Sequence, residues 1–286
     1  MTREYDLEER RRKINKQFLS FCSNGDLKGF QLLLSDECVD LSQNYYNKLI
    51  NTASENGHCQ IVRALLPHSR ADPSRANNQA LFCASEKGHL EVVRLLIHYV
   101  DPSTDNNRAL NSAIGQGHLD VVRSLLQDSR VQSSIDGNNA VGLASCAGHF
   151  EVVQFLLSEP FIDLSGYNDP IAFASEDGYL EIVRLLLEDG RFDPSSEDNE
   201  AIIMASINGH LEVARLLLKD KRVDPSSQGN RAIKGAIEYG HVALVRVLLQ
   251  DNRVDPTSDN SDYCPFRDAC SKGYLEIVRI LLEDTR

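Results

Sequence analysis

The sequence predicts an all-α fold, a solenoid of stacked helix-turn-helix units joined by short turns, and three observations support that class. A glycine recurs about every 30 residues, and such a period is typical of one small unit repeated side by side. Each period contains two runs of apolar residues at helical spacing. Proline and asparagine lie between the periods, where helices end.

The repeated motif reads A-x-x-x-G-H-L-E-V-V-R-L-L-L and is clearest from Ala205 to Leu218. These copies resemble the ankyrin repeat family, whose unit reads roughly G-x-T-P-L-H-x-A-A-x-x-G-H-x-x-V-V-x-x-L-L. The resemblance covers essentially the whole chain and implies an ankyrin-repeat solenoid. The motif glycines are Gly25, Gly57, Gly88, Gly117, Gly148, Gly178, Gly209, Gly240 and Gly273.

The chain departs from the family before the first helix of each unit. The T-P-L-H tetrapeptide is largely absent, so that residues 79–82 read Gln-Ala-Leu-Phe. The connecting segments are also shorter than those of the family. We therefore expect a tighter turn in place of the family's projecting β-hairpin finger.

The first unit is predicted to shield the end of the stack from water. A helix with a charged outer face is expected from about Asp6 to Cys22, followed by a short one ending at Leu34. Phe21 replaces the motif alanine, and Asp26 replaces the histidine or tyrosine of later units. The whole chain, 1–286, is predicted to be one domain: an N-terminal capping repeat (1–39), internal repeats 40–71, 72–100, 101–131, 132–162, 163–192, 193–223 and 224–254, and a C-terminal repeat (255–286).

Each later unit divides into a short first helix, the inner helix, and a second, more apolar outer helix. An alanine recurs on every inner helix, because only a methyl group lets neighbouring helices approach closely. On the outer helix, Val92, Val93 and Leu96 mark the buried face, and Glu91 and Arg94 the solvent side. The alanines are Ala53, Ala84, Ala113, Ala144, Ala174, Ala205, Ala236 and Ala269.

The turn glycine is expected to adopt a positive φ at the end of the inner helix. A ring follows it in eight units. The stacked units hold these histidines too far apart to share a metal ion, and the resemblance implies that each bonds local backbone. The rings are His58, His89, His118, His149, Tyr179, His210, His241 and Tyr274.

An asparagine precedes the inner helix in seven units. Its side chain can cap that helix, or its backbone can adopt the left-handed conformation of a turn. Loss of one cap by substitution with alanine is expected to cost about 1 kcal/mol. The residues are Asn47, Asn78, Asn107, Asn138, Asn168, Asn199 and Asn230.

Charged residues also recur on the outer side of the units. A glutamate or aspartate three residues before an arginine, as in Glu212 and Arg215, favours a solvated helix face; a binding site for an acidic partner is the alternative. Asp189-x-Arg191 and its copies at Asp220 and Asp251 are expected to connect successive turns.

Composition narrows the classes of function. The net charge of −12 disfavours nucleic acid and favours basic partners. The seven cysteines have no C-x-x-C spacing, and neither a secretory signal nor an apolar run that spans a membrane is visible. These features predict a cytoplasmic or nuclear protein that is not secreted and does not bind membranes. Phosphate-loop, metalloprotease and nucleophile-elbow motifs are absent, so neither catalysis nor a cofactor or metal is predicted.

The positions that vary between units point to function. On each inner helix, the residue before the alanine and those two and three after it face away from the core. Related ankyrin proteins bind partners on this concave face. In repeats 5 to 8 the face becomes apolar with an acidic edge, which is typical of an interaction site. Packing between inner helices is the alternative. The candidate residues are Leu143, Cys146, Phe173, Glu176, Asp177, Met204, Ile207, Glu238 and Tyr239.

The sequence therefore predicts a monomeric scaffold or adaptor that binds a protein segment carrying apolar side chains and positive charge. The alternative is a targeting fragment of a larger protein, a substrate-recruiting or regulatory subunit whose active domain lies elsewhere. This alternative rests on the last repeat, which lacks an evidently polar cap and stops at Arg286, where earlier repeats continue into V-D-P.

Overall fold

A computed structural model describes residues 2–34, 43–67, 73–164, 169–256 and 264–284. Within these ranges the chain forms helices and turns, with no strand, so the all-α class is confirmed. Contacts divide the chain into two compact units, unit 1 (residues 1–135) and unit 2 (residues 136–286). Each is a stack of helical hairpins and is described by itself. The prediction of one domain with nine repeats stays a prediction.

In unit 1, inner helices α1, α3, α5 and α7 pack in series, as do outer helices α2, α4, α6 and α8. The bounds are α1 Thr2–Asn24, α2 Leu27–Leu34, α3 Gln43–Glu55, α4 Cys59–Leu65, α5 Arg75–Glu86, α6 Leu90–Leu96, α7 Thr104–Gly115, α8 Leu119–Leu125 and α9 Ser129–Gln132.

Unit 2 repeats the arrangement. Inner helices α10, α12, α14, α16 and α18 pack in series, and so do outer helices α11, α13, α15, α17 and α19. The bounds are α10 Gly137–Cys146, α11 Phe150–Ser158, α12 Pro170–Glu176, α13 Leu180–Asp189, α14 Ser196–Ile207, α15 Leu211–Leu217, α16 Ser227–Glu238, α17 Val242–Leu248, α18 Pro265–Lys272 and α19 Leu275–Glu283.

The core lies between inner and outer helices, as the apolar spacing predicts. All eight repeated alanines are fully buried. On α6, Val92, Val93 and Leu96 are buried, whereas Glu91 and Arg94 are exposed. The same pattern recurs on the other outer helices, because the apolar positions repeat at one spacing.

The N-terminal helical pair is confirmed and begins earlier than expected, at Thr2. Ile14, Phe18 and Cys22 lie four residues apart on one buried side of α1. Phe18 packs edge-on against Phe30 with ring centroids 5.4 Å apart. Burial raises the pKa of the Cys22 thiol to about 12, so this cysteine serves as a small apolar residue. Cys38 lies outside the described residues.

Tight left-handed turns precede several inner helices, where the family has its finger. The second to fourth residues within the bounds of α7, α14 and α16 have a positive φ, at 105–107, 197–199 and 228–230, so the regular helix follows this turn. Asn78 also has a positive φ. The predicted left-handed backbone conformation of the asparagine is therefore confirmed at Asn78, Asn107, Asn199 and Asn230. Asn168 lies outside the described residues.

These asparagine side chains bond the next turn along the chain. Oδ1 of Asn199 accepts a hydrogen bond of 2.7 Å from the backbone N–H of Asp224, and Oδ1 of Asn230 accepts one of 2.9 Å from Asp255. In unit 1, Nδ2 of Asn107 donates to the carbonyl of Ser134 at 2.9 Å. Asparagine thus provides both a left-handed backbone and a link between repeats.

We expect Asn199→Ala to lower the free energy of unfolding by about 2 kcal/mol, because it removes the bond to Asp224 and strains the left-handed backbone. This is more than the loss of a cap alone would cost. Asn208→Ala is the matched control, since Asn208 is exposed at the end of α14 and its side chain donates to the carbonyl of Met204 in the same repeat. Urea unfolding measures both. Equal losses in the two variants would contradict the role of the inter-repeat bond.

Candidate functional site

The candidate residues lie on the inner helices of unit 2. Because Ala144, Ala174, Ala205 and Ala236 are buried toward the core, residues one before and two or three after each alanine lie on the opposite side of the helix or at its C-terminal end. Helices α10, α12, α14 and α16 pack in series, so these positions adjoin from repeat to repeat. The nine candidates define the inner-helix surface: Leu143, Cys146, Phe173, Glu176, Asp177, Met204, Ile207, Glu238 and Tyr239.

All nine residues of the inner-helix surface reach solvent. Phe173 is 37% exposed and Tyr239 57%. Cys146 and the three carboxylates are also exposed, whereas Leu143, Met204 and Ile207 are half-buried. Large aromatic side chains at such exposure leave apolar area in contact with water, a feature common at interaction sites.

Not every position on this side of the inner helices is open. A Cβ on Gly235 would lie 2.5 Å from Cγ1 of Ile207, so Ile207 covers that glycine. Part of the Ile207 side chain therefore packs between inner helices, as the alternative interpretation predicts. The expectation of a solvent-facing position is wrong at Gly235 and at Cys83 in unit 1, which are both buried. Gln79 contributes to covering Cys83, because its Nε2 donates to Sγ at 3.1 Å.

The charge of the chain is unevenly distributed between the units. Residues 1–135 contain 16 basic and 16 acidic side chains, and residues 136–286 contain 14 and 26. The sequence of unit 1 therefore has no net charge, and the sequence of unit 2 carries the whole net charge of −12. Glu176, Asp177 and Glu238 add exposed negative charge beside the apolar side chains, which favours a positively charged partner.

Rings of the following repeat hold the backbone of this surface. Nε2 of His210 donates to the carbonyl of Glu176 at 2.9 Å, and that of His241 to the carbonyl of Ile207 at 2.8 Å. His58, His89 and His118 make the same bond in unit 1. The histidines bond backbone, as the resemblance implied, but the carbonyl belongs to the preceding repeat.

The turn glycines make room for these rings. Each motif glycine has a φ between 73° and 86°, which confirms the expected left-handed conformation. A Cβ on Gly57 would lie 2.6 Å from Nδ1 of His89, and one on Gly209 would lie 2.7 Å from Cε1 of His241. Glycine is therefore required for two reasons. Its backbone adopts a positive φ, and the ring of the next repeat occupies the space that a Cβ would need.

The outer helices carry the predicted charged pairs. Arg184 pairs with Glu181 at 3.3 Å and Arg215 with Glu212 at 3.1 Å, all on exposed side chains. These two arginines line an open groove of about 590 Å³ between α13, α15 and α17. Their carboxylate neighbours offset the positive charge, which disfavours the alternative of an acidic partner on this row.

The Asp-x-Arg turns are bonded within and between repeats. Arg191 donates to both carboxylate oxygens of Asp189, at 2.6 and 2.7 Å, and to the carbonyl of Leu157 at 2.8 Å. These bonds hold the pKa of the Asp189 carboxyl below its usual value. Asp128 and Arg130 form a further ion pair of this kind. It was not predicted from the sequence, although the shared D-x-R spacing could have revealed it.

One carboxyl group at the start of an inner helix is in an unusual environment. Asp169 is buried at the N-terminus of α12, and its Oδ1 accepts backbone N–H bonds of 3.0 Å from Ile171 and Ala172. Its Oδ2 has no hydrogen-bond partner within the described ranges. Burial raises the pKa of Asp169, and Glu197 and Asp193 raise it further.

We expect Asp169→Asn to stabilise the protein at pH 7, because asparagine keeps the cap and removes a buried charge. A raised pKa means that the folded protein holds this proton more tightly than the unfolded chain, whose value is about 3.9. The stability of the natural chain therefore falls as pH rises from about 4 through the folded pKa. Urea unfolding between pH 4 and 7 should show the gain of the variant shrinking toward acid.

Asp189→Asn is the control with the opposite sign. Since the pKa of Asp189 is lowered, its contribution is present above the unfolded value and is lost as pH falls through the folded one. That variant should be less stable than the natural chain at pH 7 and equal to it in acid. An Asp169→Asn variant that loses stability at pH 7 would contradict the assignment of a buried, unfavourable charge.

No group of three or more histidine, cysteine or carboxylate side chains in the described part of the chain could hold a metal ion. None of the described helices is long and apolar enough to cross a membrane. The six described cysteines form no disulfide.

The sequence matches a model of a known protein family. A family model described as "Ankyrin repeats (3 copies)" matches residues 18–107, 100–168 and 164–229. These matches cover most of the chain and include the candidate residues from Leu143 to Ile207. No curated protein matches the chain by sequence.

Proposed function

Because the chain belongs to the ankyrin repeat family, whose repeats are generally protein–protein interaction modules, we propose that it is a scaffold or adaptor that binds a protein segment on the inner-helix surface of unit 2. The proposed partner segment carries apolar side chains and net positive charge. The chain acts as a non-catalytic monomer in the cytoplasm or nucleus in this proposal, and it binds neither nucleic acid nor membranes.

The observation that supports this proposal most is the coincidence of exposed apolar side chains with negative charge. Phe173 and Met204 lie on α12 and α14, Tyr239 directly follows α16, and all three reach solvent. Aromatic and methionine side chains are enriched where partners anchor. The surrounding unit carries the whole net charge of the sequence, and an excess of one sign attracts the opposite sign.

The backbone under this surface is well suited to hold a partner without rearranging. The bonds of His210 and His241 hold the carbonyls of Glu176 and Ile207. A surface that is ordered before binding loses less entropy when the partner arrives. Phe173 has a fully buried neighbour in Ala174, which keeps its helix in place.

Affinity capture with the immobilised full chain tests the proposal, followed by truncation of each captured protein to its shortest binding segment. We expect segments with at least two apolar side chains and net positive charge, whose affinity falls as salt is raised from about 50 to 500 mM. Acidic segments, or affinities that ignore salt, would contradict the proposed chemistry. A captured substrate of a known enzyme would favour the targeting role over the general scaffold.

A further inference from the structure

The C-terminal end of inner helix α12 combines an aromatic ring with two carboxylates. Phe173 and Glu176 lie on α12, and Asp177 follows directly with helical backbone angles. Residues three and four apart on a helix are neighbours, with Cβ atoms about 5 to 6 Å apart. All three side chains are exposed. We name these three residues the Phe173 cluster, a combination that no other repeat has at the corresponding positions.

A carboxylate at the corresponding position two repeats later has a basic partner. Glu238 lies two residues after its motif alanine, as Glu176 does. Nζ of Lys272, from the next inner helix, lies 3.9 Å from Oε1 of Glu238 and donates a hydrogen bond of 2.8 Å to the carbonyl of that residue. This pair shows that a cation from outside the repeat can occupy the space beside such a carboxylate.

The Phe173 cluster has no such partner within the described ranges. Asn208 occupies the position that Lys272 has in its own repeat, and its Nδ2 donates to a backbone carbonyl of the same repeat at 3.1 Å. No lysine or arginine of the described residues forms an ion pair with Glu176 or Asp177. Both carboxylates can therefore accept hydrogen bonds from a cation that another molecule brings.

An inner-helix phenylalanine of unit 1 is covered by a cation. The guanidinium carbon of Arg108 on α7 lies 3.8 Å from the ring centroid of Phe82 on α5. The face of an aromatic ring is negatively polarised and attracts a cation. Phe173 is 37% exposed, and no cation of the described part of unit 2 lies over its ring. A guanidinium from a partner could therefore make the same contact there.

We propose that the Phe173 cluster is a subsite for one arginine side chain of the partner segment. The guanidinium would lie over the ring of Phe173 and donate to the carboxylates of Glu176 and Asp177. Arginine fits better than lysine, because its planar group stacks on a ring and offers five donors, whereas an ammonium is compact and strongly hydrated. This inference rests on the proposed function and narrows the positive charge of the partner to one residue.

The neighbouring repeats place apolar side chains on both sides of this subsite. Leu143 on α10 and Met204 on α14 occupy the position of Phe173 in their repeats, and both are half-buried. Packed helices lie about 8 to 10 Å apart, and an extended chain advances about 3.3 Å per residue. An extended partner segment should therefore carry an apolar residue about two or three positions from the arginine.

Selection of peptides on the immobilised full chain tests the subsite. The probe is a displayed library of random linear peptides of about 12 residues, long enough to cross about four inner helices. We expect the selected peptides to share an arginine at one position, with an apolar residue about two or three positions away. Replacing that arginine with citrulline, which keeps the shape and removes the charge, should weaken binding at least about tenfold. Lysine at the same position should weaken it about threefold.

Matched variants of the full chain locate the contact. Glu176→Gln with Asp177→Asn should weaken binding of the arginine peptide at least about tenfold and make its affinity insensitive to citrulline. Glu197→Gln with Asp198→Asn is the control, since it removes the same two charges from an exposed Glu-Asp pair in the turn at the start of α14. The control should keep its affinity within about twofold. Thermal unfolding checks that both variants are folded.

The outcomes separate the subsite from the proposed function. Peptides without a shared arginine that fail to bind a Phe173→Ser, Met204→Ser and Ile207→Ser triple variant would overturn the subsite and leave the proposed function standing. Peptides that bind this triple variant as well as the natural chain, or a library that yields no binder, would contradict both. If the control pair loses as much affinity as the cluster pair, the arginine responds to the charge of unit 2 as a whole, and the subsite is overturned.

Discussion

Gly209→Ala is expected to lower the free energy of unfolding by about 3 kcal/mol. The left-handed backbone, with a φ of 86°, costs a residue with a Cβ about 1 to 2 kcal/mol. The new methyl group would lie 2.7 Å from Cε1 of His241. The ring must then move and give up its 2.8 Å bond to the carbonyl of Ile207, at about 1 kcal/mol.

Gly190→Ala is the matched control. Gly190 ends α13 with a φ of 78°, but no described atom lies within 4 Å of an added Cβ. The control therefore carries only the backbone cost of about 1 to 2 kcal/mol. Urea unfolding measures the free energy of unfolding of both variants. The difference between their losses is the contribution of the His241 ring. Equal losses would mean that the ring above the glycine contributes nothing to the stack.

The triple change Phe173→Ser, Met204→Ser and Ile207→Ser is expected to weaken partner binding by at least about 100-fold, because anchors at an interface centre carry most of the affinity. The three side chains reach solvent in the free protein, so the fold should persist. A small stability loss is expected at Ile207, because that side chain covers Gly235. Titration with the captured segment measures affinity, and thermal unfolding checks the fold.

The control triple is Leu180→Ser, Leu211→Ser and Val242→Ser. These residues are half-buried apolar side chains of the outer helices in those two repeats and the next one. The control should lose at least as much stability and keep its affinity for the segment. If both triples lose affinity equally, binding follows the integrity of the stack rather than the inner-helix surface. Unfolding of the first triple alone would favour the packing role of its three residues.

The repeating parts of the fold were predictable, because one residue type recurs at each position. The buried alanines, the positive φ of the turn glycines and the charged pairs of the outer helices each follow from local rules of helix and turn chemistry. The candidate residues were predictable for the same reason, since helical spacing places them opposite the alanines.

The links between repeats were not predictable from spacing alone. The sequence indicated that histidine follows the turn glycine, but not that its ring lies over the preceding repeat's glycine. Tyrosine at positions 179 and 274 was a usable signal, since histidine and tyrosine share a flat ring. The hydrogen bond between Asp224 and Asn199 could not be predicted either, because a sequence pattern does not say which atoms of neighbouring repeats meet.

A photo-activated crosslinking side chain at single positions tests the central claim most directly. Position 173 lies on the inner-helix surface, and position 212 is exposed on outer helix α15. With the captured basic segment bound, we predict crosslinks to the segment from position 173 and none from position 212. Crosslinks from position 212 with none from position 173 would contradict the proposed binding surface, because the partner would then dock on the outer helices, whose pattern recurs from repeat to repeat, rather than on the variable inner-helix surface.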